Sequence, residues 1–239
     1  MSFTLNKLAW DSDFFDFSVG KIEGTLKNNS DLMLLESLTK SNGILLCYYS
    51  ATQEIPSSFH KSKRLEFALV DKKVTYRKKI NLKIVEMGPY VSAVNELENI
   101  KKLEDLAIQS GVYSRFNVDK RIEREKFEEL YRLWMRNSIN RTIAKEVLVY
   151  TIKGNIAGFV SLAEMHQTAD IGIIAVDSSF RGKGIGKELM NSAERWFFKK
   201  GYKDIRVVTQ GNNEAACKLY ESCGYSLEGS ELYYHVWKL

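Results

Sequence analysis

A stretch of strand character, residues 170–176 (DIGIIAV), gives way to a loop with glycines at alternate positions, Gly182, Gly184 and Gly186. The loop runs straight into helix-forming sequence, KELMNSAERWFFKKG. Strand, glycine turn and helix together are a narrow specification. Glycine lets successive backbone N–H groups face one point, and the first turn of the following helix adds partial positive charge. The pattern predicts an anion site between a strand and a helix, with Arg181, Lys183 and Lys187 supplying full positive charges around it.

Spacing decides which kind of anion site this is. A nucleoside-triphosphate loop needs a hydroxyl residue after its lysine, but Lys187 is followed by Glu188, which offers nothing comparable to magnesium. A dinucleotide fingerprint needs G-x-G-x-x-G, whereas the order here is G-x-G-x-G with no repeated βαβ unit around it. The remaining pattern is R-x-x-G-x-G, on Arg181, Gly184 and Gly186, after a strand that ends in Val176 and Asp177.

A second element follows after one further strand (DIRVVTQ): residues 212–225 read NNEAACKLYESCGY. The two elements, in this order, resemble the GCN5-related N-acetyltransferase superfamily, the second matching its N-x-x-A-x-x-L-Y-E-x-x-G-[FY] element at Asn213, Ala216, Leu219, Tyr220, Glu221, Gly224 and Tyr225. The resemblance implies acetyl-CoA as co-substrate, no metal, and direct attack of an amine on the thioester. It implies that Arg181, Gly182, Lys183, Gly184, Ile185, Gly186 and Lys187 grip the pyrophosphate. Main-chain groups near Ile174 and Val176 would follow the pantetheine arm and polarise the thioester carbonyl. It also makes Tyr220 the acid that protonates the departing thiolate, with Asn213 facing the coenzyme. Aromatic packing for Tyr220 and helix capping for Asn213 are the plain alternatives. Glu164 and His166, just after a strand, are positions from which a base could act; neither is assigned, and solvent can take the amine's proton.

The acceptor has to be sought elsewhere. Residues 8–24 (LAWDSDFFDFSVGKIEG), and the run from Ser114, Arg115, Phe116, Val118 and Asp119 into EREKFEELYRLWMRNSIN, are similar to TDP-fucosamine acetyltransferases, which acetylate the amine of a TDP-linked 4-amino-4,6-dideoxyhexose. That resemblance implies a TDP-amino sugar acceptor, a role in cell-surface polysaccharide synthesis, and frequent dimers. Trp10, Phe14 or Phe15 could stack on thymine, and Ser114 and Arg115 could meet the diphosphate; core packing is the alternative for the aromatics. A protein or small-amine acetyltransferase and a non-catalytic acyl-CoA-binding module share the same coenzyme half.

Composition narrows the field further. The chain has 239 residues and a formal charge of +5, too small a surplus for a nucleic-acid groove. Its basic residues bunch between His60 and Lys83, where a solvated face is expected. No apolar run approaches a membrane span, and the N-terminus lacks the character of a secretory signal, so a cytoplasmic protein is expected. Cys47, Cys217 and Cys223 have no metal-ligand spacing and read as structural thiols.

Periodicity predicts an α+β fold: a mostly antiparallel twisted sheet with flanking helices, plus a smaller N-terminal α+β domain. The boundary is placed at 1–112 and 113–239, after a helix over 95–111. Helices are expected at 31–43 and 123–140, the latter with Phe127, Leu130, Tyr131 and Trp134 inward. Strands are expected at 44–50, 65–70 and 73–80. Gly154 and Asn155 should break 146–165 into a hairpin, and 170–176 is apolar enough to be buried on both faces.

Overall fold

A computed structural model of the chain describes residues 2–80, 91–93, 100–165 and 167–239, with the backbone alone for 91–93. His166, the turn at 87–90 and the start of the helix expected at 95–111 lie outside the described residues. In chain order the elements are β1 (Phe3–Lys7), α1 (Ala9–Phe15), β2 (Val19–Gly24), α2 (Asn29–Ser41), β3 (Leu46–Ala51), β4 (Leu65–Lys79), β5 (Val91–Ala93) and α3 (Ile100–Ser110). There follow α4 (Arg115–Val118), α5 (Arg124–Ile139), β6 (Glu146–Ile152), β7 (Asn155–Met165), β8 (Thr168–Val176), α6 (Ile185–Lys199), β9 (Asp204–Gln210), α7 (Glu214–Ser222) and β10 (Ser226–Lys238).

The chain forms two compact units. One comprises Met1–Lys73, Val118–Arg121 and Ser230–Leu239; the other comprises Val74–Asn117 and Ile122–Gly229. This division differs from the boundary expected at 112/113: described residues from Val74 to Asn117 group with the second unit, and the dividing point lies within β4. The two strands expected at 65–70 and 73–80 are one strand, because Asp71 and Lys72, polar but neither glycine nor proline, stay extended.

In the first unit the strand order is β1-β2-β3-β10-β4. β1 and β2 pair antiparallel, as do β3 and β10. β2 and β3 are parallel, with α2 as the crossover that such a pair requires. Asn28 caps α2 by accepting from the N–H groups of Ser30 and Asp31, and the helix stops ahead of Gly43, whose φ of 63° suits glycine. Leu35, Ile44, Tyr49, Phe59, Phe67 and Val236 are among its core residues. Asp119 is buried in this unit as an acceptor node: Oδ2 accepts from Trp237 Nε1 at 2.8 Å and meets His235 Nδ1 at 2.5 Å, while Oδ1 accepts from Arg121 N–H at 3.1 Å.

In the second unit the order is β4-β9-β8-β7-β6-β5. β6 and β7 form the expected hairpin, shifted by one residue. Its two-residue turn is Lys153-Gly154, with φ of 50° and 79°, and Asn155 already belongs to β7. Helix α6 turns Leu189, Ala193 and Phe197 fully inward, while Trp196 is only half-buried at the edge. Burial of the Leu and Phe side chains contributes about 1.5–3 kcal/mol each. On α5, Phe127, Leu130 and Tyr131 are buried and Trp134 is half-buried against Tyr131. The basic run is no uniform solvated stripe. Lys73 pairs with Glu231 in the first unit, and Arg77 with Glu228 and Lys78 with the buried Glu194 in the second. The result is an α+β architecture whose mixed, mostly antiparallel sheet carries flanking helices.

Candidate active site

All the residues of the expected coenzyme site lie in the second unit. The site begins with an irregularity in β8. Val160 faces Ile174 and Leu162 faces Ile171, so Ser161 alone stands opposite Gly172 and Ile173. This is a β-bulge, and both sides of it are chemically specified. Ser161 Oγ accepts from Ile173 N–H at 2.7 Å, and a Cβ on Gly172 would lie 2.8 Å from that oxygen. The strand expected to be buried on both faces is therefore open beyond the bulge: Gly172 is exposed, and Ile173, Ile174 and Val176 are half-buried.

The bulge coincides with a parting of strands. The parallel ladder between β8 and β9 runs over Ala169–Ile205, Asp170–Arg206 and Ile171–Val207, yet β8 continues to Val176 and β9 to Gln210. Past Ile171 the two strands no longer pair. Strand geometry aims alternate main-chain groups of this segment away from β7. Main-chain groups near Ile174 and Val176 thus face the side where β9 has diverged, the Val176 carbonyl among them being taken by Arg181 Nε.

At the end of β8, Asp177 opens a short 3-10 turn, Ser178–Phe180, and the glycine loop follows. The three glycines do different work. Gly182 (φ 75°) and Gly184 (φ 78°, the N-cap of α6) adopt left-handed backbone, and a Cβ on either would meet nothing within 4 Å, so their outer side is open. Gly186 is helical and close-packed: a Cβ there would sit 3.1 Å from Leu219 Cδ2 and 3.8 Å from Val176 Cγ2. It joins the end of β8, the start of α6 and helix α7. Gly186→Leu is expected to cost about 1–3 kcal/mol by overpacking, whereas Gly186→Ala is close to neutral because the flexible Leu219 tip can yield and helix propensity improves by up to about 1 kcal/mol. Urea unfolding of the two variants checks this.

The first α-helical bond of α6 is donated by Glu188 N–H to Gly184 O at 3.1 Å, so the N–H groups ahead of it have no acceptor within the helix. Open glycine faces and unused helix N–H groups fit a pyrophosphate. Arg181 is exposed and its Nε donates to Val176 O at 3.1 Å, closing the loop on the strand. Lys183 lies over the Phe180 ring at 5.2 Å, and Lys187 is exposed. The Ile185 side chain is a core residue at 2% exposure, which leaves only its main chain for a ligand.

Helix α7 brings in the second element. Asn213 is its N-cap, accepting from Ala216 N–H at 3.2 Å. Tyr220 is buried, its ring packed beside Tyr76 at 5.7 Å and Tyr225 at 6.3 Å. Burial raises its phenol pKa well above the ordinary value, with neighbouring Cys217, Cys223 and Tyr76 adding smaller contributions, so it stays protonated through the neutral range. Tyr76 donates to Glu221 at 2.9 Å.

Of the residues considered for the base, Glu164 is displaced from the site. It faces Ala169, five residues before Ile174, which is roughly 16 Å along a strand at about 3.3 Å per residue. Tyr202 donates to its carboxylate at 2.9 Å and Lys145 pairs at 3.2 Å, which holds it ionised, below its usual pKa, in a separate polar cleft of about 390 Å³. The residues expected to meet a nucleotide also separate. Phe15 is buried at 4% exposure, which removes it as a stacking surface, whereas Trp10 is 51% exposed and stacks on Phe14 at 5.2 Å. Ser114 is buried and accepts from Phe116 N–H; Arg115 lies over the Phe116 ring. Burial lifts the thiol of Cys47 to about 12 and raises that of Cys223, so neither is poised as a nucleophile.

Sequence reasoning missed the bulge pair Ser161 and Gly172, and it missed Lys102, which pairs with Asp177. A glycine inside a strand pattern is itself a bulge signal, so Gly172 could have been found. Lys102 could not: nothing local distinguishes it from its neighbour Lys101.

A bulged strand parting from its parallel neighbour, with a glycine loop and a tyrosine-bearing helix beside it, is the arrangement expected of the coenzyme half of an acetyltransferase. The chain belongs to the acetyltransferase (GNAT) family, whose model matches residues 110–225. It is an acetyl-CoA-dependent N-acetyltransferase of that type. Among its relatives, it is 30% identical over 169 residues to the dTDP-fucosamine acetyltransferase of Escherichia coli, an alignment covering 70% of each chain. It is 27% identical over 152 residues to the spore coat polysaccharide biosynthesis protein SpsD of Bacillus subtilis, covering 64% of this chain and 50% of that one. Among solved structures, a GCN5-related N-acetyltransferase from Sphaerobacter thermophilus superposes with a TM-score of 0.61 at 12% identity, over 99% of this chain and 76% of that one; this likeness shows the fold alone.

Proposed function

We propose that the protein acetylates the amino group of a nucleotide-linked amino sugar, of the TDP-4-amino-4,6-dideoxyhexose class, for cell-surface polysaccharide synthesis in the cytosol. The observation that carries this reading is the reach of the similarity to the E. coli dTDP-fucosamine acetyltransferase, 70% of both chains. A match confined to the coenzyme half would not choose an acceptor, since one family fold serves many amines. The similarity to streptothricin acetyltransferase is much shorter, 40% identity over 65 residues or 27% of this chain.

Acetyl-CoA supplies the acetyl thioester. Main-chain N–H groups of Gly182, Lys183, Gly184, Ile185, Gly186 and Lys187, with Arg181 at the rim, bind its pyrophosphate. Main-chain groups at Ile174 and Val176 hold the extended arm and face the thioester carbonyl, fixed before charge develops there. Tyr220 gives its proton to the departing thiolate, and Asn213, while capping α7, borders the same cleft. Cys47, Cys217 and Cys223 take no part, because two bound substrates react directly.

The test is acetyl-CoA-dependent thiol release against TDP-linked 4-amino-4,6-dideoxyhexoses, UDP-linked amino sugars, free amino sugars and lysine peptides. Turnover confined to the nucleotide-linked amines is the expected result. Turnover of a peptide or free amine with every nucleotide sugar inert would leave the coenzyme half standing and overturn the acceptor.

A further inference from the structure

Asp177 is where β8 becomes the glycine loop, and all its hydrogen-bonding groups are engaged. Its N–H donates to Ala157 O at 2.9 Å, and its carbonyl accepts from Phe180 N–H at 2.9 Å. Oδ1 accepts from Ser179 N–H at 2.9 Å and Oγ at 2.5 Å. Oδ2 accepts from the ammonium of Lys102 on α3. The residue is 7% exposed, and its carboxyl is held down to a pKa of about 2, chiefly by the hydrogen bond from Lys102 and then by Ser179.

A fixed negative charge at the root of a loop suited to an anion is a liability. Asp177 cannot be dispensed with, because its oxygens hold Ser179 and shape the turn that leads to Gly182. Protonating it is not a remedy either, since its contacts keep it ionised at any neutral pH. The charge has to be compensated in place. Lys102 is the cation that does so, and it comes from α3, an element with no part in the loop itself.

We infer that Lys102 is a positioning residue for the coenzyme: by neutralising Asp177 it lets the Gly182–Gly186 backbone accept a pyrophosphate that an unpaired carboxylate would repel. The inference rests on the reading of the loop as the acetyl-CoA site. Lys102→Met should raise both the KM for acetyl-CoA and the Kd for CoA on the order of tenfold, the scale of one uncompensated charge at partly screened range. The rise should be larger at low salt, with kcat kept within about twofold. Lys102→Arg should retain wild-type values. Adding Asp177→Asn to Lys102→Met should restore most of the affinity, because asparagine keeps the acceptor for Ser179 and removes the charge. A purely structural pair would instead lower the melting temperature without a KM-specific, salt-dependent effect.

Calorimetric titration with CoA and steady-state kinetics across salt concentrations read out all four proteins. If the unsubstituted protein binds CoA and Lys102→Met binds it equally well, the inference is overturned. If the affinity loss persists in the double variant, Lys102 touches the coenzyme itself and the positioning role is wrong. If the unsubstituted protein does not bind CoA, the reading of the loop fails, and the inference with it.

Discussion

If Tyr220 is the acid we propose, Tyr220→Phe is expected to lower kcat by about 10²–10³-fold, within the range typical of losing a positioned acid, and to leave the Kd for CoA nearly unchanged. Phenylalanine keeps the ring between Tyr76 and Tyr225, so packing on both sides survives and only the hydroxyl is lost. The raised pKa has two consequences that pull in opposite directions. It would make Tyr220 a weaker acid than a free phenol, but it favours the protonated form that the proposed role requires. Deprotonation of this residue therefore causes no loss of activity below the ordinary phenol value of 10.0. Thiol release measured from neutral pH to about 10 in both proteins checks this. Equal turnover in the phenylalanine variant removes Tyr220 from the chemistry and leaves it as a packing residue.

The second large effect concerns stability. Asp119→Ala is expected to destabilise the protein by about 3–5 kcal/mol, the range seen when one member of a buried polar pair is removed. The acceptor of Trp237 Nε1 and the partner of His235 Nδ1 vanish together, in a place where His235 is wholly buried. Asp119→Asn keeps one acceptor oxygen and should lose less. Acid probes the same group. Burial acts to raise its carboxyl, but His235, Trp237 and the Arg121 N–H together outweigh it, and the folded-state pKa lies below the unfolded value of 3.8. The unfolded chain then binds the proton first. The contribution is fully present above about pH 4 and disappears as pH falls through the folded value. Urea midpoints measured from neutral pH into acid should fall more steeply for the native protein than for Asp119→Asn; parallel curves would show that Asp119 is not the linked group.

Local features of the chain made much of this fold legible. Glycine spacing at 182, 184 and 186, the apolar period of α5 and α6, and the asparagine that starts α7 act over a turn or two, where a single sequence shows its constraints directly. What stayed hidden depends on partners far along the chain. β4 looked like two strands because Asp71 and Lys72 are polar, and only its neighbours in the sheet keep it extended. Asp119 shares its site with His235 and Trp237, over a hundred positions away. Gly186 resembled its two neighbours as a loop glycine, yet its reason for being glycine is the Leu219 methyl group. The hairpin turn at Lys153 was missed by one residue because lysine is not a usual resident of left-handed backbone.

The parting of β8 from β9 carries an evolutionary consequence. If the opened edge of β8 is the coenzyme site as proposed, recognition there falls to main-chain groups that every residue but proline carries in full, and side chains are released from the task of binding. Apolar residues can then replace one another at half-buried positions such as Ile174 and Val176, so long as the strand stays extended, while a side chain on Gly172 meets the Ser161 hydroxyl and one on Gly182 or Gly184 strains a left-handed backbone. On that reading the acceptor side can change without disturbing the hold on the donor.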